Sequence, residues 1–218
     1  MAHQAAFEAP GNWYRGNLHT HSTGSDGQRT PAEVVAWYEQ SGYSFVALTD
    51  HLRYAGAGLS RPGCIAIPGI EVHGIDPQSG MYHIVGLGGD MAPGAKWEPA
   101  HSLQADVNAL RERGLLVHLA HPYWSGQSAR DLAAVEGAHS VEVFNGVCEV
   151  GYAKGYSGQT WDNILAAGSR LWGLAVDDAH WHPWRPDSGI AWIMLKAPEL
   201  TVEAVLEAVQ LGRFYAST

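Results

Sequence analysis

Two imidazoles one residue apart, His19 and His21, stand at the end of an apolar run from Trp13 to Thr20. On an extended segment residues i and i+2 face the same way, so such a pair can grip one metal ion together. Asp178 and His180 repeat the spacing near the other end of the chain. Between these pairs, Asp50 and His51, Glu71 and His121 fall where apolar runs stop, and His83 lies on the run Met81 to Leu87. Imidazole and carboxylate without thiolate suit Zn²⁺, Mn²⁺ or Fe²⁺ rather than an iron–sulfur cluster or Ca²⁺. This donor set exceeds the three or four ligands of a single zinc, so two or three divalent ions are expected, with a carboxylate such as Glu71 bridging. A lone histidine on a strand also has a plainer reading as a hydrogen-bonded core residue. His3, His101 and His139 fit that reading, His118 reads as wall packing, and His73 and His182 stay open.

Short apolar runs alternating with helical patterns must deliver these side chains. Strands are predicted over Trp13 to Thr20, Ser44 to Thr49, Cys64 to His73, Met81 to Leu87, Leu115 to Ala120, Val141 to Phe144, Leu171 to Val176 and Ile190 to Leu195. Helices are predicted over Pro31 to Ser41, Ser102 to Arg113, Ala129 to Val135, Thr160 to Ala167 and Thr201 to Leu211. The first has the clearest punctuation: Thr30 as N-cap, Pro31 in its first turn, Glu33 completing a capping box and Gly42 at its end. The alternation predicts a single α/β domain over residues 1–218, with a mostly parallel sheet or barrel. In such folds the carboxyl ends of the strands converge on one face, so residues distant in sequence meet in one cleft.

Composition narrows the function. A chain of 218 residues buries roughly 70% of its unfolded surface and needs no disulfide staples. Cys64 and Cys148 lack Cys-x-x-Cys spacing and read as small buried hydrophobes. Thirteen basic against 22 acidic residues give a net charge of −9, which disfavours general binding of nucleic acid or anionic membranes. The first twenty residues show no charged-then-apolar leader pattern and no apolar run approaches the ~20 residues of a membrane span, so a cytoplasmic chain is expected.

Together the motifs resemble the PHP family, named for polymerase and histidinol phosphatase. The matching segments are Gly16-Asn17-Leu18-His19-Thr20-His21-Ser22, Ser25-Asp26-Gly27, Ala47-Leu48-Thr49-Asp50-His51, Pro68-Gly69-Ile70-Glu71, Tyr82-His83-Ile84, Leu119-Ala120-His121-Pro122 and Asp177-Asp178-Ala179-His180. The resemblance implies a distorted seven-stranded (β/α)7 barrel with a di- or trinuclear metal centre at the strand ends. It places His19, His21, Glu71 and Asp178 on one ion and Glu71, His83 and His121 on a second. Asp26, His51 and His180 hold a third or complete the cluster; Asp26 stands where some members have His. Asp177 and Asp178 are both candidates, and the Asp-x-His spacing picks Asp178. Asp177 and Asp50 then sit behind the ligands, orienting a histidine or holding a loop. Trp13-Tyr14-Arg15-Gly16 and the closing Gly212-Arg213-Phe214-Tyr215-Ala216-Ser217-Thr218 resemble the carbaryl-hydrolase-like subgroup of carbamate and aryl-ester hydrolases. Members of that subgroup often continue into a further β-rich segment; no substrate contacts are expected from one here.

The chemistry implied is metal-assisted hydrolysis, in which two cations lower the pKa of a bridging water to give hydroxide near neutral pH and offset charge on the substrate oxygens. The resemblance implies a phosphoesterase acting on a small phosphomonoester or nucleotide as the leading expectation, and the ions would make the cleft locally positive even in an acidic protein. Arg53, two residues after His51, is a candidate phosphate contact or a surface salt bridge, with Arg130 and Arg185 as weaker candidates. Tyr123 and Trp124 wall the pocket or fill core, and Asn145 is a candidate substrate hydrogen-bonder. No residue singles itself out as general acid. One alternative is a metal-dependent carboxylic or carbamic ester hydrolase, suited by nine tryptophans and few basic side chains. Another, of a different class, is a non-catalytic structural PHP module, against which the full set of ligand types argues.

Overall fold

The structure is a computed structural model and describes residues 7–218; His3 lies outside them. β1 (Asn12–Asn17) ends before the loop that carries His19 and His21. The capping box forms as read: the Thr30 hydroxyl accepts the Glu33 N–H and the Glu33 carboxylate accepts the Thr30 N–H at 2.8 Å, starting α1 (Pro31–Gln40). β2 (Phe45–Leu48), β3 (Ile65–Asp76), β4 (Gly80–Gly88), α2 (Leu103–Glu112) and β5 (Leu115–Leu119) follow. Then come α3 (Pro122–Ser125), α4 (Ala129–Ala133), β6 (Ser140–Asn145), α5 (Gly146–Tyr152), α6 (Gly158–Ala166) and β7 (Trp172–Val176). β8 (Trp192–Ala197), α7 (Val202–Gln210) and β9 (Phe214–Ser217) complete the chain. No described helix is long and apolar enough to cross a membrane.

Among the described residues nine strands form one sheet, in the order β7-β6-β5-β4-β3-β2-β1-β8-β9. The sheet curls into a nearly closed barrel that brings β7 against β8 and β9. Nine strands replace the seven expected, and the sheet is mixed rather than mostly parallel. β1, β2 and β3 pair in parallel, as do β5, β6 and β7, whereas β4 runs antiparallel to both β3 and β5. The reason is the Pro77-Gln78-Ser79 turn, where Asp76 Oδ1 accepts the Gln78 N–H at 2.8 Å. Three residues make a hairpin, while a parallel return needs a crossover of a dozen or more. β8 is antiparallel on β1, and β9, which no periodicity had marked, is antiparallel on β8.

Period-two alternation on β2 divides the core. Phe45 and Ala47 face an inner cluster with Leu18, Ile67, Val85, Leu174, Ile193 and the α7 residues Val205 and Val209. Val46 and Leu48 face outward onto Val34, Val35 and Tyr38 of α1. A third cluster joins α2, α4 and α6 to the sheet through Val107, Leu110, Leu132 and Ile164. Cys64 and Cys148 are free and buried.

Candidate metal centre

Glu71, on β3, is 1% exposed, and five imidazoles surround its carboxylate. Oε2 lies 3.2 Å from His19 Nε2, 3.1 Å from His21 Nε2 and 3.1 Å from His51 Nδ1. Oε1 lies 2.7 Å from His83 Nδ1 and 3.3 Å from His121 Nε2. The two oxygens thus address different histidines, the arrangement a bridging carboxylate needs. Asp178 Oδ1 joins the first set, 3.3 Å from His19 Nε2 and 3.0 Å from His21 Nε2. His19, His21, Glu71 and Asp178 form one group with donor atoms converging within 4.8 Å, and Glu71, His83 and His121 form a second. A third joins His21, Asp26, His51 and His180; it is the open one, because the Asp26 side chain is 53% exposed. The structure therefore brings all nine candidate ligands together.

The residues present fit divalent cations. Glu71 Oε2 and Asp178 Oδ1 are buried and accept no hydrogen bond. Leaving a buried charged acceptor unsatisfied is costly, and a bound divalent cation would satisfy them.

Strand ends and strained backbone aim the ligands. His19 and His21 follow β1, His51 follows β2, His121 follows β5, and Asp178 and His180 follow β7. His83 is delivered differently: the β3–β4 register sets it opposite His73, on the face that Glu71 shares by period two. His121 (φ 25°) and Asp178 (φ 53°) occupy the left-handed region that L-residues rarely adopt. Hydrogen bonds from the His121 N–H to Glu142 (2.8 Å) and from the Asp178 N–H to the His19 carbonyl (3.0 Å) hold them there. Such strain at a polar cluster is a mark of a functional site.

Asp50 and Asp177 stand behind the ligands and hold loops. Asp50 accepts from the Ser22 N–H (2.7 Å), the Ser22 hydroxyl (2.6 Å) and the Ser25 hydroxyl (2.9 Å). Gly24 packs on that carboxylate so closely that a Cβ there would overlap it. Asp177 accepts from Tyr38 Oη and from the N–H groups of Gly189, Ile190 and Ala191.

Glu142, on β6, escaped the sequence reading. It is fully buried, its Oε1 2.7 Å from His19 Nδ1 and 3.1 Å from His118 Nε2, while Oε2 accepts from Asn145 Nδ2 at 2.8 Å. The available signal was a carboxylate inside the apolar run Val141 to Phe144. His118 is correspondingly a buried partner of Glu142 rather than wall packing.

The substrate residues need more correction. A cavity of about 230 Å³ opens over the cluster, walled by Trp124, Val147, Cys148, Tyr152, His182 and Arg185. Trp124 lies edge-on to His83 and His121, at 5.5 and 5.1 Å between ring centroids. Tyr123 is half-exposed outside the cavity. Asn145 is fully buried: its amide donates to Glu142 and, at 3.1 Å, to Asp178 Oδ2, and its oxygen caps α5 through the Cys148 N–H, so it holds the candidate ligand Asp178 and does not line this cavity. Arg53 is exposed beside Gly94, carried there because Leu52 takes a left-handed turn (φ 51°). Arg130 lines a separate groove with Ala133 and Asn163. The cation at the cavity is Arg185, whose buried Nε makes no hydrogen bond and lies 3.5 Å from Asp187.

Burial alone would lower the imidazoles, but neighbouring carboxylates outweigh it for three of them. His21 is raised to about 10 by Asp178 and Glu71. His19 is held well above its usual value by Asp178, Glu142 and Glu71, and His121 is raised by Glu71 and Glu142. Burial would raise Glu71 and Asp178, yet the imidazoles hold both below the ordinary carboxylate range. Without metal His21 is therefore protonated near neutrality, and the upward shifts of His19 and His121 favour their protonated forms, whereas metal ligation requires all three neutral. Cation loading at pH 7.5 is expected to expel protons. Titration calorimetry in two buffers of different ionisation enthalpy should give different apparent heats; equal heats would contradict it.

No family model matches the chain. A 101-residue stretch is 39% identical to the 3′,5′-nucleoside bisphosphate phosphatase of Chromobacterium violaceum, covering 44% of this chain and 33% of that protein. The chain thus matches a third of its curated relative's length. Among solved structures, it superposes on a Bacteroides vulgatus two-domain protein containing a predicted PHP-like metal-dependent phosphoesterase, with a TM-score of 0.69 and 17% identity over 95% of this chain and 65% of that one. An amidohydrolase from Chromobacterium violaceum, solved with bound sulfate, has a TM-score of 0.60 and 18% identity over 92% of this chain and 97% of that one. The fold is that of PHP-like proteins, as the motifs had implied.

Proposed function

We propose that this chain is a metal-dependent phosphomonoesterase acting on a small phosphorylated metabolite or nucleotide. The observation that carries the reading is the Glu71 carboxylate, each of whose oxygens faces its own set of imidazoles. The relative that is 39% identical over 101 residues is a 3′,5′-nucleoside bisphosphate phosphatase, which supports the substrate class. His19, His21, Glu71 and Asp178 would hold one cation, Glu71, His83 and His121 a second, and Asp26, His51 and His180 a third; Zn, Mn and Fe suit these donors. Such ions supply Lewis acidity toward a phosphoryl oxygen and toward water.

The chain's own residues do the rest. Arg185 offers a guanidinium fork at the cavity wall, the geometry that pairs best with phosphate oxygens. Trp124, Val147 and Tyr152 provide an apolar wall that restricts water and orients the leaving group. Asn145 and Glu142 fix Asp178 and His19, so the ligands need little rearrangement to receive the ions.

Initial rates on 4-nitrophenyl phosphate and 4-nitrophenyl acetate, with metal-reloaded protein and a chelated control, test this reading. Metal-dependent release from the phosphate is expected. Release from the acetate alone would transfer the site to ester or carbamate hydrolysis. Arg185→Ala should raise KM for the phosphate about 10- to 100-fold, the loss of one charge-assisted contact of roughly 1.5–3 kcal/mol, and leave any acetate turnover unchanged.

A further inference from the structure

The candidate ligand histidines follow a common pattern. His19 turns Nδ1 to Glu142 (2.7 Å), His121 to the Ser125 hydroxyl (3.2 Å), His180 to the Asp178 carbonyl (2.8 Å) and His21 to the Ser25 hydroxyl (3.4 Å). Each presents Nε2 to the cluster, and His83, with Nδ1 against Glu71, is the exception. Metal-binding histidines are generally oriented in this way by a partner on the nitrogen that does not bind. His51 follows the pattern with an unusual partner. Its Nε2 faces Asp26 at 3.7 Å, and its Nδ1 lies 3.1 Å from Nδ1 of His73, a residue outside the nine candidate ligands. Glu71 Oε2 is equally near His51 Nδ1 but accepts no hydrogen bond, so the bond goes to His73.

We propose that His73 is the positioning residue of the third, open metal site. Its Nδ1 accepts the His51 Nδ1–H, fixing the tautomer that leaves His51 Nε2 free for a cation shared with Asp26 and His180. The fold supplies His73 for this purpose at little cost. It sits two residues after Glu71 on β3, hence on the same face, and opposite His83 in the β3–β4 register. Its ring lies nearly perpendicular to that of His51 (86°) and stacks on that of His83 at 5.1 Å, so neighbours on two sides lock it. The other two sites are closed by fully or nearly buried carboxylates, whereas the third has only the half-exposed Asp26. It therefore depends most on the orientation of its histidines.

This inference rests on the metal-dependent reading above, and metal content separates the two. Wild type, His73→Ala and His73→Gln are loaded with Mn²⁺ or Zn²⁺, and bound metal is counted by plasma emission spectrometry and by titration with a competing chelator. The alanine variant should keep the two tighter ions and bind the weakest at least 10-fold less tightly, the scale at which such partners act. Glutamine, whose amide oxygen can accept from His51 Nδ1–H, should restore most of that affinity. An alanine variant with wild-type content and affinity would overturn the role of His73 alone. Equal loss in alanine and glutamine would make His73 a ligand beside His51 and His83, and so overturn positioning. A wild-type chain that takes up no divalent cation would overturn both readings. Far-UV circular dichroism confirms that each variant is folded.

Discussion

Glu71→Gln is expected to abolish measurable phosphatase activity and to strip bound metal to well below the wild-type content. The amide keeps the side chain's shape but replaces one carboxylate oxygen with an N–H₂ donor, aimed at nitrogens that must themselves face a cation. Because Oε2 faces His19 and His21 while Oε1 faces His83 and His121, either orientation of the amide disables one group. The charge that binds the groups into one centre is lost in both orientations. An activity loss of about 1,000-fold or more is expected, equivalent to roughly 4 kcal/mol at ~1.36 kcal/mol per tenfold. His180→Asn supplies the contrast. Its imidazole is a candidate ligand only in the open third group, so most of the metal should stay bound. Metal analysis together with kcat on 4-nitrophenyl phosphate checks both variants. Full metal content in Glu71→Gln would remove the carboxylate from the centre of the proposed mechanism.

Most of the candidate ligands were legible because they stand near a strand end or beside another ligand type at i+2, and strand ends are where a barrel gathers side chains. Asp26, in a loop, was marked only by its motif, and Glu71 and His83 lie within β3 and β4. What that logic could not supply is direction. Arg53 was favoured for its closeness to His51, but the left-handed turn at Leu52 carries it away, and a positive φ at leucine has no compositional signature. Arg185 was the weaker candidate, yet the loop after His180 folds back over the cavity and sets it in the wall. Asn145 was read correctly as sitting at a strand end, but its amide turns inward to Glu142 and Asp178. The mixed sheet went unread because an apolar run does not reveal its polarity. Only the brevity of the Pro77-Gln78-Ser79 connection marks β4 as antiparallel. Short helices such as α3 and α5 have too few residues for a period to show.

Glu142 tests whether the buried network behind the ligands has the energetic weight its geometry suggests. Its carboxylate is the partner of four buried groups: His19 Nδ1, His118 Nε2, the His121 N–H and Asn145 Nδ2. Glu142→Ala leaves all four unsatisfied in a space that admits no bulk water. Removing one member of a buried pair costs about 3–5 kcal/mol. For a chain of this size that lowers Tm by on the order of 10 °C, at ~2–4 °C per kcal/mol. Glu142→Gln, which keeps an acceptor oxygen, should lose less. The pH dependence separates charge from packing. Burial would raise this carboxyl, but the His19 and His118 imidazoles outweigh it and hold Glu142 below its ordinary value of about 4.3. A depressed folded-state pKa contributes stability that is present above the unfolded value and lost as pH falls toward the folded one. The stability gap between wild type and Glu142→Gln, measured by denaturant titration with chelator present, should therefore be widest near pH 7 and narrow as pH falls below about 4. A gap that stays constant from pH 7 to pH 3 would assign the effect to packing alone and leave the orientation of His19 to the backbone strain at the strand ends.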